Sequence, residues 1–235
     1  MENRLEYIYE AASYLFINKG YARTQMKDIA KEIGLSTGML YIYFKGKKDI
    51  LNFILKCTID KGFIQQEFTY PIDERLFETL DDEIDLVLKE SSARFYAPLK
   101  ERNSGYSFEQ MVSDAYDTIS QYGTGCLVME KNMDAVGKAG RSYQEYRKIF
   151  FDQVLEYVNF YIERGEVRPM KYPELSARLI IETLAWWGMH VMNDVFQVQK
   201  NIPAEAAKEV CMDNLVSAYT KSQVNNGLTT DNYNK

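Results

Sequence analysis

The sequence predicts an all-α protein, with a small head of short helices at the N-terminus and a larger helical body behind it. Two observations carry this. Only 5 Pro and 13 Gly interrupt 235 residues, too few for a sandwich of short strands joined by turns. Apolar residues also recur every three or four positions through most of the chain, the period of a helix with one buried face. At 46% hydrophobic and 26% charged, the chain can bury a core. That excludes disorder throughout, collagen-like repeats and a disulfide scaffold.

The elements follow in order. Leu5, Ile8, Ala12, Leu15 and Phe16 form one face of a first helix that stops at Lys19-Gly20. Thr24 reads as the N-cap of a short helix over Gln25–Ile33, with Met26, Ile29, Ala30 and Ile33 facing inward. Gly34 supplies a left-handed turn, and Ser36 caps a second short helix over Thr37–Phe44. Two short helices joined by a glycine turn make a helix-turn-helix. A longer helix then runs from Lys47 to about residue 67, and Pro71 marks a break.

In the body, residues 81–95 have helical spacing, followed by a loop read from Ala97-Pro98 and Asn103-Ser104-Gly105. Ser107-x-x-Gln110 is a capping box opening a helix to Gln121, and Gly123-Thr124-Gly125 breaks it before a turn at Cys126–Asn132. Ser142-x-x-Glu145 reads as a second box, opening a long helix rich in Tyr and Phe. Pro173 starts a helix to about Phe196, and Pro203 starts the last, with Ala207, Cys211, Leu215 and Ala218 on its apolar face. The expected division is a helix-turn-helix domain at 1–48, a body at 49–222 and a polar tail at 223–235.

Several chemistries are excluded. A single histidine, His190, rules out a His-based metal site within one subunit and a Ser-His-Asp arrangement elsewhere. It sits in an apolar run and reads as a hydrogen-bonded core residue. Three isolated cysteines, with no C-x-x-C, fit buried thiols in a reducing compartment. No phosphate-binding glycine loop is visible, so neither an enzyme nor a cofactor is expected. No segment reads as a signal peptide or a membrane span, and a cytoplasmic protein is expected.

Charge is uneven. The chain carries −6 overall, yet residues 1–50 hold eight Lys and Arg against six Asp and Glu. A mildly basic head on an acidic body is compatible with nucleic-acid binding.

The pattern Phe16-x-x-x-Gly20-Tyr21-x-x-Thr24-x-Met26-x-Asp28-Ile29-Ala30-x-x-x-Gly34-x-Ser36-x-Gly38-x-Leu40-Tyr41-x-Tyr43-Phe44-x-x-Lys47 resembles the DNA-binding domain of the tetracycline-repressor (TetR) family, over about 45 residues. The resemblance implies a double-stranded DNA operator and contacts from Thr24, Ser36, Thr37, Gly38, Tyr41, Tyr43 and Lys47. It also implies a homodimer built on the last two helices, and an unknown small-molecule effector held by the body. The residues agree: hydroxyls and Lys47 reach phosphates, and Leu40 and Phe44 anchor the short helix inward. STGMLYIYF carries no Arg, Asn or Gln to read base edges, so Thr37, Met39 and Tyr43, with Gln25 or Lys27, are left for that task.

Aromatic residues make up 14% of the chain. Phe95, Tyr116, Tyr146, Phe150 and Trp186 are the expected lining of a pocket for a hydrophobic, aromatic or cationic molecule. A solid aromatic core is the alternative. Trp186 and Trp187, about 100° apart on a helix, cannot share one environment. The reading is a homodimeric DNA-binding regulator, a repressor rather than an activator, released by its effector. An enzyme, and a head that contacts proteins instead of DNA, are the other classes.

Overall fold

The computed structural model describes residues 4–193 and 202–221. Among them it is helical throughout, apart from turns and two isolated bridges. The head comprises α1 (Arg4–Asn18), α2 (Met26–Glu32) and α3 (Thr37–Tyr43), followed by α4 (Lys47–Ile59). The body comprises α5 (Leu80–Lys100), α6 (Phe108–Gln121), α7 (Gly123–Lys131), α8 (Met133–Glu163), α9 (Pro173–Ala185), α10 (Val191–Asn193) and α11 (Ala204–Tyr219). A π turn, Trp186–His190, joins α9 to α10. The expected end of that helix at Phe196, and the tail at 223–235, lie outside the described residues.

The head is closed by the pattern read from its sequence. Ile8, Ala12, Phe16, Ile29, Leu40 and Phe44 are wholly or almost wholly buried together. Gly34 sits at φ +67, the left-handed conformation that ends α2 and lets Leu35 donate back to the Ala30 carbonyl at 2.8 Å. This core does not stop at the boundary expected after residue 48. It continues through Ile50, Leu51 and Ile54 of α4 into Leu127, Val128 and Val136 of the body.

Several sequence readings are corrected. The N-cap of α2 is Gln25, not Thr24, because Asp28 folds back to accept the Gln25 N–H at 2.9 Å. Helix α4 stops at Ile59 instead of near 67, where a short 3-10 turn, Phe63–Gln65, brings Phe63 onto Phe53 and Phe68. Ala97-Pro98 is not a loop, since α5 passes through it to Lys100. The Tyr157 hydroxyl donates to the Phe95 carbonyl at 2.7 Å and accepts from the Leu99 N–H at 3.2 Å. It thus bridges the gap that proline opens in the helix ladder.

Ser142 opens no helix either. The bend in α8 lies at Gly137, with φ 55 and ψ −119, and Ser142 sits mid-helix, donating to Asp85. Ser107 caps α6 as expected, but Gln110 turns to Asp114 rather than completing a box. Pro173 and Pro203 do start their helices.

Helix α8 is the spine of the body, packed along α5, α9 and α7, while α11 lies on α6. Helix α7 is pressed against α4 at Gly125, where an added Cβ would stand 2.3 Å from the Thr58 hydroxyl.

Candidate functional site

Two features of the fold have the geometry of a site: the outer face of α3 and a cavity in the body.

Helix α3 is about 10 Å long, short enough to lie in a major groove about 12 Å wide. Ser36 caps it, accepting the Met39 N–H at 3.2 Å. Leu40 and Phe44 pin its inner face at 0% exposure. Its end is tied to the segment after Pro71, with Lys45 N–H donating to the Ile72 carbonyl and Ile72 N–H to the Tyr43 carbonyl. Ser36, Gly38, Met39, Tyr41 and Ile42 are exposed, and Thr37 and Tyr43 half-exposed. Tyr43 packs edge-on against Tyr70 at 5.1 Å. Ile42, at 55%, is the most exposed large apolar residue of the helix, and it was not singled out from the sequence. Its only signal was position, one residue from each of the two tyrosines.

Thr24 and Lys47 differ from the expected surface contacts. Thr24 is fully buried, and its hydroxyl donates to the Gly20 carbonyl at 2.8 Å, so it presents nothing outward. The Lys47 ammonium donates to the carbonyls of Tyr21 at 2.6 Å and Thr24 at 2.8 Å, and lies 4.0 Å over the Tyr21 ring. Burial lowers its pKa. It clamps the α1–α2 turn and keeps one N–H spare. Arg23, Lys27 and Lys45 are exposed cations of the head, and their side chains make no hydrogen bond or ion pair among the described residues.

The head is fastened to the body by Asn132, buried between α7 and α8. Its carbonyl accepts the Tyr21 N–H at 2.5 Å, and its amide donates to the Phe16 and Val128 carbonyls at 3.0 and 2.7 Å. Lys48 adds a bond to the Ala135 carbonyl.

Helix α7 also forms one wall of a cavity of about 150 Å³ between α6, α7, α8 and α9. Of the five expected lining residues, Tyr146 and Phe150 face it. Phe95 and Tyr116 do not. Phe95 is packed under Phe150 and Tyr157, and Tyr116 is buried with its hydroxyl on the Trp187 carbonyl. Trp186 is outside altogether, 52% exposed, because the π turn rotates it off the inner face. Trp187 packs against the body core, so the two indoles do occupy different environments. The sequence did not point to Tyr122, Cys126, Glu130, Tyr143 and Arg147, which also line the cavity. His190 lines it too, stacked on Trp186 at 5.2 Å instead of hydrogen-bonded in the core. Burial pushes the Cys126 thiol and the Tyr146 hydroxyl up to about 12, and Tyr143 well above its usual value. These three side chains are therefore neutral at physiological pH.

All three cysteines are buried free thiols. Among the described residues no cluster of His, Cys, Asp and Glu could hold a metal, and no helix is long and apolar enough to cross a membrane.

A capped pair of short helices with an exposed outer face, rooted in a helical body with a cavity, is a helix-turn-helix arrangement on a larger helical domain. Residues 8–53, the head with the start of α4, match the model of the family described as bacterial regulatory proteins, tetR family. It is 43% identical over 60 residues to the HTH-type transcriptional regulator HbdR of Aromatoleum sp. (strain CIB), covering 26% of each chain. It is 32% identical over 108 residues to IcaR of Staphylococcus aureus (strain Newman), a negative transcriptional regulator of the biofilm operon icaADBC. That match covers 43% of this chain and 55% of IcaR. The chain thus spans about a quarter to a half of the length of these relatives. The solved structure of the ketosteroid transcriptional regulator KstR2 of Mycobacterium tuberculosis shares the fold, with a TM-score of 0.56 at 16% identity over 94% of this chain and 97% of that one.

Proposed function

We propose that the chain is a homodimeric, cytoplasmic DNA-binding regulator that represses transcription by occupying an operator and leaves it when a small molecule enters the body cavity. The observation that carries this is the outer face of α3. Gly38, Tyr41 and Ile42 are exposed and Thr37 and Tyr43 half-exposed on a helix whose inner face is locked, with the exposed cations Arg23, Lys27 and Lys45 in the same head. Ser36 sits exposed at its start, and Lys47 acts by holding the turn that orients α2. Base discrimination rests on single hydrogen bonds and on apolar contact with thymine methyls, for which Ile42 and Met39 are suited. Repression is favoured by the likeness to IcaR, a negative regulator.

Dimerisation is assigned to the outer face of α9. Leu175, Leu179 and Trp186 are exposed at intervals of four and seven residues, and Val210 of α11 is also exposed. Ala207, Cys211 and Leu215 are unsuited, because they are buried on α6 of the same chain. Leu179→Asp is the test. It should leave the helical content unchanged, convert the sedimenting dimer to a monomer and abolish tight operator binding. A dimer of undiminished strength places the interface elsewhere. The DNA reading is tested by fragment retention and footprinting, which should reveal a two-fold site with half-sites about one helical turn apart.

A further inference from the structure

The cavity is small, ring-lined and carries a carboxylate that is only half used. At about 150 Å³ it holds roughly one benzene-sized ring. Tyr122, Tyr143, Tyr146 and Phe150 supply aromatic faces, and Ile181 and Met189 apolar ones. Glu130 projects into it from α7. Its Oε1 accepts the Tyr143 hydroxyl at 2.7 Å and faces Arg147 Nη1 at 3.1 Å. No residue among those described bonds Oε2. Glu182, the other carboxylate of the lining, is paired with Arg178 at 3.3 Å on its exposed side, which leaves Oε2 of Glu130 as the open acceptor of the lining carboxylates.

We propose that this cavity receives a single-ring amine, and that the free Oε2 of Glu130 reads its ammonium group. The aromatic walls take the ring and attract the cation by its charge. An anionic ring compound held by Arg147 is the rival. It is disfavoured because the Arg147 side chain is 55% exposed and already turned to Glu130, whose own side chain is 21% exposed. Glu130 also lies two residues before Asn132 on the element that holds the head, so a ligand on Oε2 pulls directly on that element. Ligand binding itself does not depend on the regulator reading. Only the consequence for DNA rests on it.

The test is calorimetric titration of the full chain, without DNA, using benzylamine, toluene, benzoate and naphthalen-2-ylmethylamine. Benzylamine should bind most tightly, toluene more weakly, and the two-ring amine at least tenfold more weakly than benzylamine. E130Q keeps the acceptor for Tyr143 but loses the charge. It should weaken benzylamine at least tenfold and leave toluene within twofold, the scale set by one charge-assisted hydrogen bond. Ala185→Leu, filling the cavity from α9, should abolish binding of both, and unchanged thermal midpoints establish that both variants fold. Tighter binding of benzoate than benzylamine overturns the proposal in favour of Arg147. No binding by any probe, or equal benzylamine affinity in E130Q, also overturns it. Glu130-dependent binding without release of DNA leaves this inference standing and sinks the effector part of the proposed function instead.

Discussion

Asn132→Ala is the most informative single change, because one buried amide closes the C-terminus of α1. A helix leaves its last carbonyls, and the N–H groups just beyond them, without intrahelical partners. Here Gly20 N–H turns back to the Leu15 carbonyl, which leaves the Phe16 carbonyl and Tyr21 N–H to Asn132. The same amide binds the Val128 carbonyl one turn back in α7. Alanine strands three backbone groups in a site only 7% exposed. At about 1–3 kcal/mol for each unsatisfied group, partly relieved by entering water, the expected loss is about 3 kcal/mol. For a chain of this size that lowers the thermal midpoint by about 6–12 °C. Circular dichroism melting measures it. DNA affinity should fall as well, since α1 and α7 come apart while α2 and α3 keep their own contacts. A midpoint within about 1 °C of wild type would refute the reasoning that Asn132 joins head to body.

Three further outcomes follow from the same structure. Tyr157→Phe removes the hydroxyl that bridges Phe95 and Leu99 across Pro98, and should cost about 1–3 kcal/mol in urea unfolding; no shift in midpoint would mean α5 tolerates the gap unaided. Lys47→Met should lower head stability by about 1–3 kcal/mol and leave the salt dependence of DNA binding unchanged. A smaller salt slope at unchanged stability would return Lys47 to the phosphates. Asp28 is held below its usual pKa by hydrogen bonds from Lys19 and the Gln25 N–H. Its folded pKa lies below the unfolded one, so its stabilisation is complete above about pH 4 and is lost as pH falls further. Asp28→Asn should therefore flatten the acid limb of the stability curve, and an unaltered limb would exclude this contribution.

What the sequence made legible was local. Gly34, Ser36, Ser107, Pro173 and Pro203 act within one turn of their own position, and each does what its chemistry predicts there. The misreadings involve partners the local pattern does not show. Pro98 continues a helix because Tyr157 reaches it from α8, and Lys47 turns inward to carbonyls more than twenty residues earlier. Thr24 and Ser142 carry capping side chains that found other acceptors, Gly20 and Asp85. Tyr146 and Phe150 share one face of α8 at a spacing of four, and both line the cavity. Trp186 escaped because a π turn shifts the helical phase, which a count at 3.6 residues per turn does not register. Glu130 had no signal at all, since its role comes from the crossing of α7 with α8.

The central claim is that α3 and the exposed cations of the head engage duplex DNA. The most direct test is equilibrium binding to the retained operator across a salt series. Arg23, Lys27 and Lys45 from two subunits predict a slope of log K against log salt of about −5, and replacing all three with alanine should bring it close to zero. Binding that is insensitive to salt, or a triple variant with the wild-type slope, would contradict the account.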